Sequence, residues 1–134
     1  MQIVDSYPVV ITPNLQACRD FYVLWFEFEV VFEASWFVLL SSGSTSIAFM
    51  HPDHPSEPPK PGAYSGDGAF LTLQVEDAGA EYERLVGRGL QCDLPLTDEP
   101  WGQRRFGIVD PAGMWVDVVE QTQPEDGWWD AYLA

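Results

Sequence analysis

The stretch FLTLQVEDAGAEYERLVGRG, residues 70–89, decides how this chain is read. It opens on alternating, β-forming residues, so residues 68–75 (GAFLTLQV) are expected to form a strand. Glu76 and Asp77 then supply an N-cap. Ala78, Tyr82, Leu85 and Val86 recur at helical spacing and would line one helix face. Gly87 and Gly89 end that helix. A strand running directly into a short amphipathic helix is the unit to look for elsewhere.

The same order occurs upstream. Residues 6–12 (SYPVVIT) form a candidate strand, broken by Pro13-Asn14, with Asn14 as N-cap. Leu15, Cys18, Phe21, Tyr22 and Trp25 then mark an amphipathic helix of about three turns. Residues 29–33 (EVVFE), 36–40 (WFVLL) and 45–51 (TSIAFMH) are strand candidates, the last two joined by a turn at 41–44. Beyond Gly89, residues 90–96 give a strand with Pro95 at its edge, and 98–104 (DEPWGQR) a turn-rich loop. Residues 105–109 and 114–120 are the last two strands. Between them, Asp110-Pro111-Ala112-Gly113 has Pro to fix one φ and Gly to supply a positive one.

The chain therefore carries two copies of β-α-β-β-β, an α+β arrangement repeated in element order more than in residue identity. With 134 residues it is expected to be a single domain. Module one spans about residues 5–52, a Pro-rich linker about 52–67, module two about 68–121 and an acidic, aromatic tail 122–134.

Charge narrows the partners. Against 21 acidic residues stand 6 Lys and Arg, a formal charge of −15. That excludes a nucleic-acid partner, which needs a basic surface, and disfavours anionic membranes. It suits a cationic small molecule. No apolar run approaches the length of a membrane span, and the first residues, MQIVDSYPVV, lack a basic region and a long apolar core, so neither a span nor a signal peptide is expected. Cys18 and Cys92 have no C-x-x-C partner and are expected as free thiols in a reducing cytoplasm.

Chemistry-bearing residues are few. Asp117 is a carboxylate set in the middle of an otherwise apolar strand. A metal ligand, a general base, a ligand contact and a solvent-facing residue are all open readings for it. His51 and His54, both in the Pro-rich loop, lack a helix to align their rings and are expected as surface histidines. Trp101-Gly102 lies in a loop, where an aromatic is poorly explained by packing alone.

The segments VVITPN, ACRDFYVLWFEFEVVFE, FLTLQVEDAGAEYERLVGRG and DPAGMWVDVVE, in that order, resemble the vicinal oxygen chelate superfamily. This group includes glyoxalase I, extradiol dioxygenases and bleomycin-resistance proteins. The resemblance covers about residues 5–121. It implies two βαβββ modules forming a half-open sheet cup, and often a homodimer. It also implies a divalent metal held by the first and last strands of each module. Carried over by spacing, the ligand positions are Tyr7, Ala48, Phe70 and Asp117, of which only Asp117 is an ordinary ligand. No metal, cofactor or catalytic residue is therefore expected.

The chain resembles the metal-free, bleomycin-resistance-like members best. The resemblance places Tyr7, Trp36, Phe70, Trp101 and Trp115 near the cup, where rings suit aromatic or cationic ligands. Glu99-Pro100-Trp101-Gly102-Gln103-Arg104 resembles a segment of drug-binding members. Arg104 or Arg105 would pair with Asp117 or Glu99 when no ligand is present. The expected ligand-binding set is Tyr7, Trp36, Ala48, Phe70, Trp101, Arg104 and Asp117, for a cationic or aromatic molecule. A glyoxalase-like lyase, isomerase or dioxygenase is the alternative, and a partner-binding domain a third reading.

Overall fold

The computed structural model describes residues 1–56, 59 and 62–133. The first half builds β1 (Val9–Ile11), α1 (Leu15–Phe26), β2 (Glu29–Glu33), β3 (Phe37–Ser42) and β4 (Thr45–Met50). The second builds β5 (Leu71–Gln74), α2 (Ala78–Gly87), β6 (Leu94–Glu99), β7 (Gln103–Val109) and β8 (Trp115–Gln121), followed by a 3-10 turn at Trp128–Ala131. Two β-α-β-β-β modules result, in strand orders β1-β4-β3-β2 and β5-β8-β7-β6. In each, the first strand runs parallel to the fourth while the rest are antiparallel, and neither sheet closes on itself. Contacts divide the chain into two compact units. One is Met1–Asp67 with Asp110–Met114; the other is Gly68–Val109 with Trp115–Ala134. Part of the proline-rich linker, at 57, 58, 60 and 61, lies outside the described residues.

In the first unit α1 packs on β3 and β4. Cys18 and Tyr22 are its fully buried residues, and the Tyr22 ring meets Phe49 of β4 at 5.4 Å and Phe28 at 5.5 Å. Val38, Leu40, Ile47 and Phe49 complete this core. Burying each such side chain contributes about 1.5–3 kcal/mol. β2 is the open edge, and its Val30, Val31 and Phe32 are exposed. Asn14 stands at the N-cap position but makes no cap hydrogen bond. Its side-chain amide donates instead to the Pro111 carbonyl at 3.1 Å, and its backbone N–H donates to Thr12 Oγ1. At the other end Glu27 adopts φ +60°, a left-handed conformation, while Phe28 N–H returns to the Tyr22 carbonyl.

In the second unit α2 packs on β6, β7 and β8, with Tyr82 edge-on to Phe106 at 5.3 Å. Asp77 caps the helix by accepting from Ala80 N–H at 2.9 Å, as its sequence position implies. Leu90 N–H donates to Leu85 O and Gly89 N–H to Val86 O, with Gly89 at φ +100°. That is a Schellman ending, and its partner side chains Leu85 and Leu90 are both buried. Val86 is 42% exposed and does not join the helix's buried face.

Several boundaries move from the sequence expectation. β1 begins at Val9, although pairing continues one residue earlier through Ala48 N–H to the Pro8 carbonyl. Residues 68–70 precede β5, so Phe70 is outside the strand and 60% exposed. Residues 90–93 are not strand, because Leu90 finishes the helix ending; β6 starts at Leu94. The loop expected over 98–104 contracts to Pro100-Trp101-Gly102. Asp98 and Glu99 belong to β6, and Gln103 and Arg104 to β7. Gly102 at φ +106°, with its N–H on the Glu99 carbonyl at 3.2 Å, closes a three-residue hairpin. His54, expected at the surface, is buried at 9% exposure; its Nδ1 accepts from Ser56 N–H and its Nε2 has no partner among the described residues.

Candidate functional site

The chemistry concentrates on one face of the second sheet. Along β7, Arg104, Phe106 and Ile108 face α2, so Gln103, Arg105 and Gly107 face the opposite way. Register carries this across strands: Gly107 stands opposite Asp117 and Arg105 opposite Val119 of β8. On the other flank Arg105 stands opposite Thr97 and Gln103 opposite Glu99 of β6. The face away from α2 therefore collects Glu99, Gln103, Arg105, Trp115 and Asp117.

Arg105 ties this face together. Its Nη2 and Nε donate to Glu99 Oε2 at 2.8 and 3.1 Å. Its Nη1 reaches Asp117 Oδ2 at 3.1 Å and Oδ1 at 3.3 Å. The guanidinium carbon lies 5.4 Å from the centre of the Trp101 ring. Burial pulls the Arg105 guanidinium's pKa down, but the hydrogen bonds and charges of Glu99 and Asp117 together outweigh it and leave the group above its usual value. Asp117 is almost fully buried and also accepts from Trp115 Nε1. The Trp115 indole lies directly against Gly107, where no side chain intervenes: a Cβ there would fall 2.0 Å from its Cζ2.

The tail completes the surroundings. Thr122 N–H donates to Gly102 O at 2.8 Å, Glu125 N–H to Pro100 O at 2.9 Å and Trp129 Nε1 to Trp101 O at 2.8 Å. Trp101 thus sits between Trp128, at 5.9 Å ring to ring, and the Arg105 guanidinium, with its own Nε1 on Gln103 Oε1. Three consecutive residues of the hairpin turn are strapped by the tail.

Of the other expected site residues, Arg104 belongs to the second unit, and Tyr7, Trp36 and Ala48 belong to the first. Arg104 is on the α2 side of the sheet, paired with Asp98 at 2.7 Å, so of the two arginines Arg105 is the one that meets Asp117 and Glu99. Tyr7 is 44% exposed, ahead of β1. Trp36 precedes β3 with its ring 5.9 Å from Phe37. Ala48 is fully buried in β4, paired with Val9. Within the second unit, Trp101 and Asp117 are both brought to Arg105. Glu99, Arg105 and Trp115 were outside the expected ligand-binding set. The signal for Glu99 and Arg105 was the pair of acids and the pair of arginines flanking a Trp-Gly turn.

The superfamily's divalent metal does not fit this donor set. Pairing puts Thr72, not Phe70, beside Asp117, and Val9 beside Ala48. Two of these four carry no donor, and Asp117 already carries a guanidinium. Among the described residues no group of three or more His, Cys, Asp or Glu side chains could hold a metal ion. Both cysteines are free; burial and the nearby Asp110 push the Cys18 thiol up to about 12, and burial raises Cys92, so neither is primed as a nucleophile. No helix among the described residues is long and apolar enough to cross a membrane.

Comparison with known proteins agrees with this architecture. A crystal structure described as a glyoxalase/bleomycin resistance protein/dioxygenase from Nocardioides matches with a TM-score of 0.75 at 18% identity, over 92% of this chain and 86% of that one. A superfamily member from Sphaerobacter thermophilus matches at 0.66 and 28% identity, over 90% and 98%. A lactoylglutathione lyase from Agrobacterium tumefaciens matches at 0.71 and 20% identity, over 89% and 95%. No curated protein matches the chain. The family model for the Glyoxalase/Bleomycin resistance protein/Dioxygenase superfamily spans residues 6–118, and with two β-α-β-β-β modules built as described, this chain belongs to that superfamily.

Proposed function

We propose that this chain is a metal-independent, small-molecule-binding member of its superfamily, of the bleomycin-resistance type, which holds a cationic, aromatic ligand without altering it. The observation that carries the reading is the cluster on the second sheet. Glu99 and Asp117 share a single guanidinium beside the Trp101 and Trp115 indoles. The cluster has one formal negative charge in excess, set in a chain of formal charge −15. Such a surface draws cations by long-range steering and holds them by ion pairing and stacking on indole rings, at about 0.5–2 kcal/mol per ring contact. The free thiols accord with a reducing cytoplasm, which we take as its compartment.

The test is a thermal melt of the chelator-treated protein with metal-free bleomycin, and separately with nickel, zinc, manganese, magnesium or iron(II). A ligand at about 100 times its dissociation constant adds about 2.7 kcal/mol, a shift of several degrees for a chain this size. The expected result is a rise with bleomycin and none with any metal. A rise with one metal, together with metal-dependent turnover, would replace this reading with a lyase or dioxygenase.

A further inference from the structure

We infer that Arg105 is an internal placeholder for the ligand's cationic group, and that the site therefore selects aromatic amidines or guanidines over simple ammonium compounds. The inference rests on the binding function proposed above. Both carboxylates and the Trp101 ring are already engaged by this one side chain. Nε and Nη2 take Glu99, Nη1 takes both oxygens of Asp117, and the guanidinium carbon lies over Trp101. An incoming cation finds both carboxylates occupied and the indole face covered, so binding is an exchange and not an addition.

The two ends of the pair differ in their freedom to exchange. The Asp117 side chain is 6% exposed and fixed by Trp115 Nε1, whereas the Arg105 side chain is 25% exposed on a long flexible stem. Arg105 is the partner that leaves. What it gives up defines what must replace it: N–H donors directed at two carboxylates, and a flat, delocalised cation against an indole. An amidine or guanidine reproduces that set, while an ammonium supplies only a compact charge.

The experiment is calorimetric titration of the wild type and of Arg105→Gln with benzamidine, benzylamine and neutral benzamide. Wild type is expected to prefer benzamidine to benzylamine. Arg105→Gln is expected to bind both cations at least about tenfold more tightly, with benzamide unchanged. Arg105→Lys, which keeps the charge but loses the planar fork, should fall between, and serves if the glutamine variant does not fold. If wild type binds benzamidine and the variants bind it equally or more weakly, the placeholder role is overturned while the binding function stands. An equal gain for benzamide would also overturn it, because the effect would then be space and not charge. Failure of wild type and variants alike to bind either cation would overturn the binding function itself.

Discussion

In the first unit the Tyr22 hydroxyl donates to Asp110 Oδ2 at 2.7 Å, joining the middle of α1 to the Asp-Pro-Ala-Gly turn. Both residues are buried. The other carboxylate oxygen, Oδ1, accepts from the N–H groups of Ala112 and Met114 at 2.9 Å. Asp110 is thus the organising acceptor of its own turn, and Tyr22 is its only side-chain donor among the described hydrogen bonds.

Tyr22→Phe should therefore cost about 1–3 kcal/mol at neutral pH, the penalty for a buried carboxylate short of one donor. The cost should depend on pH. Burial raises the Asp110 pKa and the Tyr22 bond lowers it, so losing that bond raises the folded value further. A raised folded value favours the fold below the unfolded value of 3.8 and loses that benefit as pH rises through the folded one. The variant's deficit should accordingly shrink as pH falls toward the carboxylate range. Urea melts of both proteins at pH 7 and at pH 4.5 check this; an unchanged gap would mean that Tyr22 does not interact with the charged form.

Glu27→Gly should stabilise the chain. Glu27 holds φ +60° at the end of α1, and among the described residues it is the one non-glycine with positive φ. The left-handed conformation costs an ordinary residue about 1 kcal/mol, which glycine avoids, though glycine gives part of this back as unfolded-state entropy. The expected gain is about 0.5–1 kcal/mol, visible as a melting temperature a few degrees higher. A lower melting temperature would show that the Glu27 side chain offsets its own strain.

How much of this was legible in the sequence depends on the range of the forces involved. Elements set by local chemistry were readable: β2 at its full extent, α1 from its apolar spacing, and the Asp77 cap. Asn14 looked equally good as a cap, but its Oδ1 makes no cap hydrogen bond and its Nδ2 donates to the carbonyl of Pro111, 97 residues away, a contact no local pattern announces. The segment 98–104 looked like a loop because it is charged. Those charges are cross-strand pairs, Asp98 with Arg104 and Glu99 with Arg105, on opposite faces of one hairpin. Leu90 looked like the start of a strand because it is apolar, yet it buries against the helix it terminates. Asp117 stood out as a lone acid in an apolar run, but its partner depended on a register between β7 and β8 that composition does not encode.

Gly107→Ala should damage the site more than its single methyl group implies. The new Cβ would lie 2.0 Å from Trp115 Cζ2 and 2.6 Å from Cε2 and Cη2, so the indole has to move. Moving it breaks the Trp115 Nε1 bond to Asp117. Overpacking of this kind costs about 1–3 kcal/mol. The check combines a melt with tryptophan fluorescence. A variant of wild-type stability with an unchanged emission spectrum would mean that the indole is not held as described.

Asp117→Asn removes the best-buried acid of the cluster while keeping its shape. Arg105 retains Glu99, so the guanidinium is not stranded, but Nη1 loses its charged acceptor and Trp115 Nε1 faces an amide in place of a carboxylate. Because the Arg105 side chain is a quarter exposed, solvent screens part of the lost attraction, and the stability cost should be about 1 kcal/mol. Binding should suffer more, since the excess negative charge that favours a cation disappears. Affinity for benzamidine should fall about tenfold or more, with neutral benzamide unaffected. Glu99→Gln, acting on the outer acid of the same cluster, should follow the same pattern. Calorimetric titration of both variants decides it: equal affinity for benzamidine in wild type and Asp117→Asn would remove Asp117 from the binding face and leave it as a structural partner of Arg105.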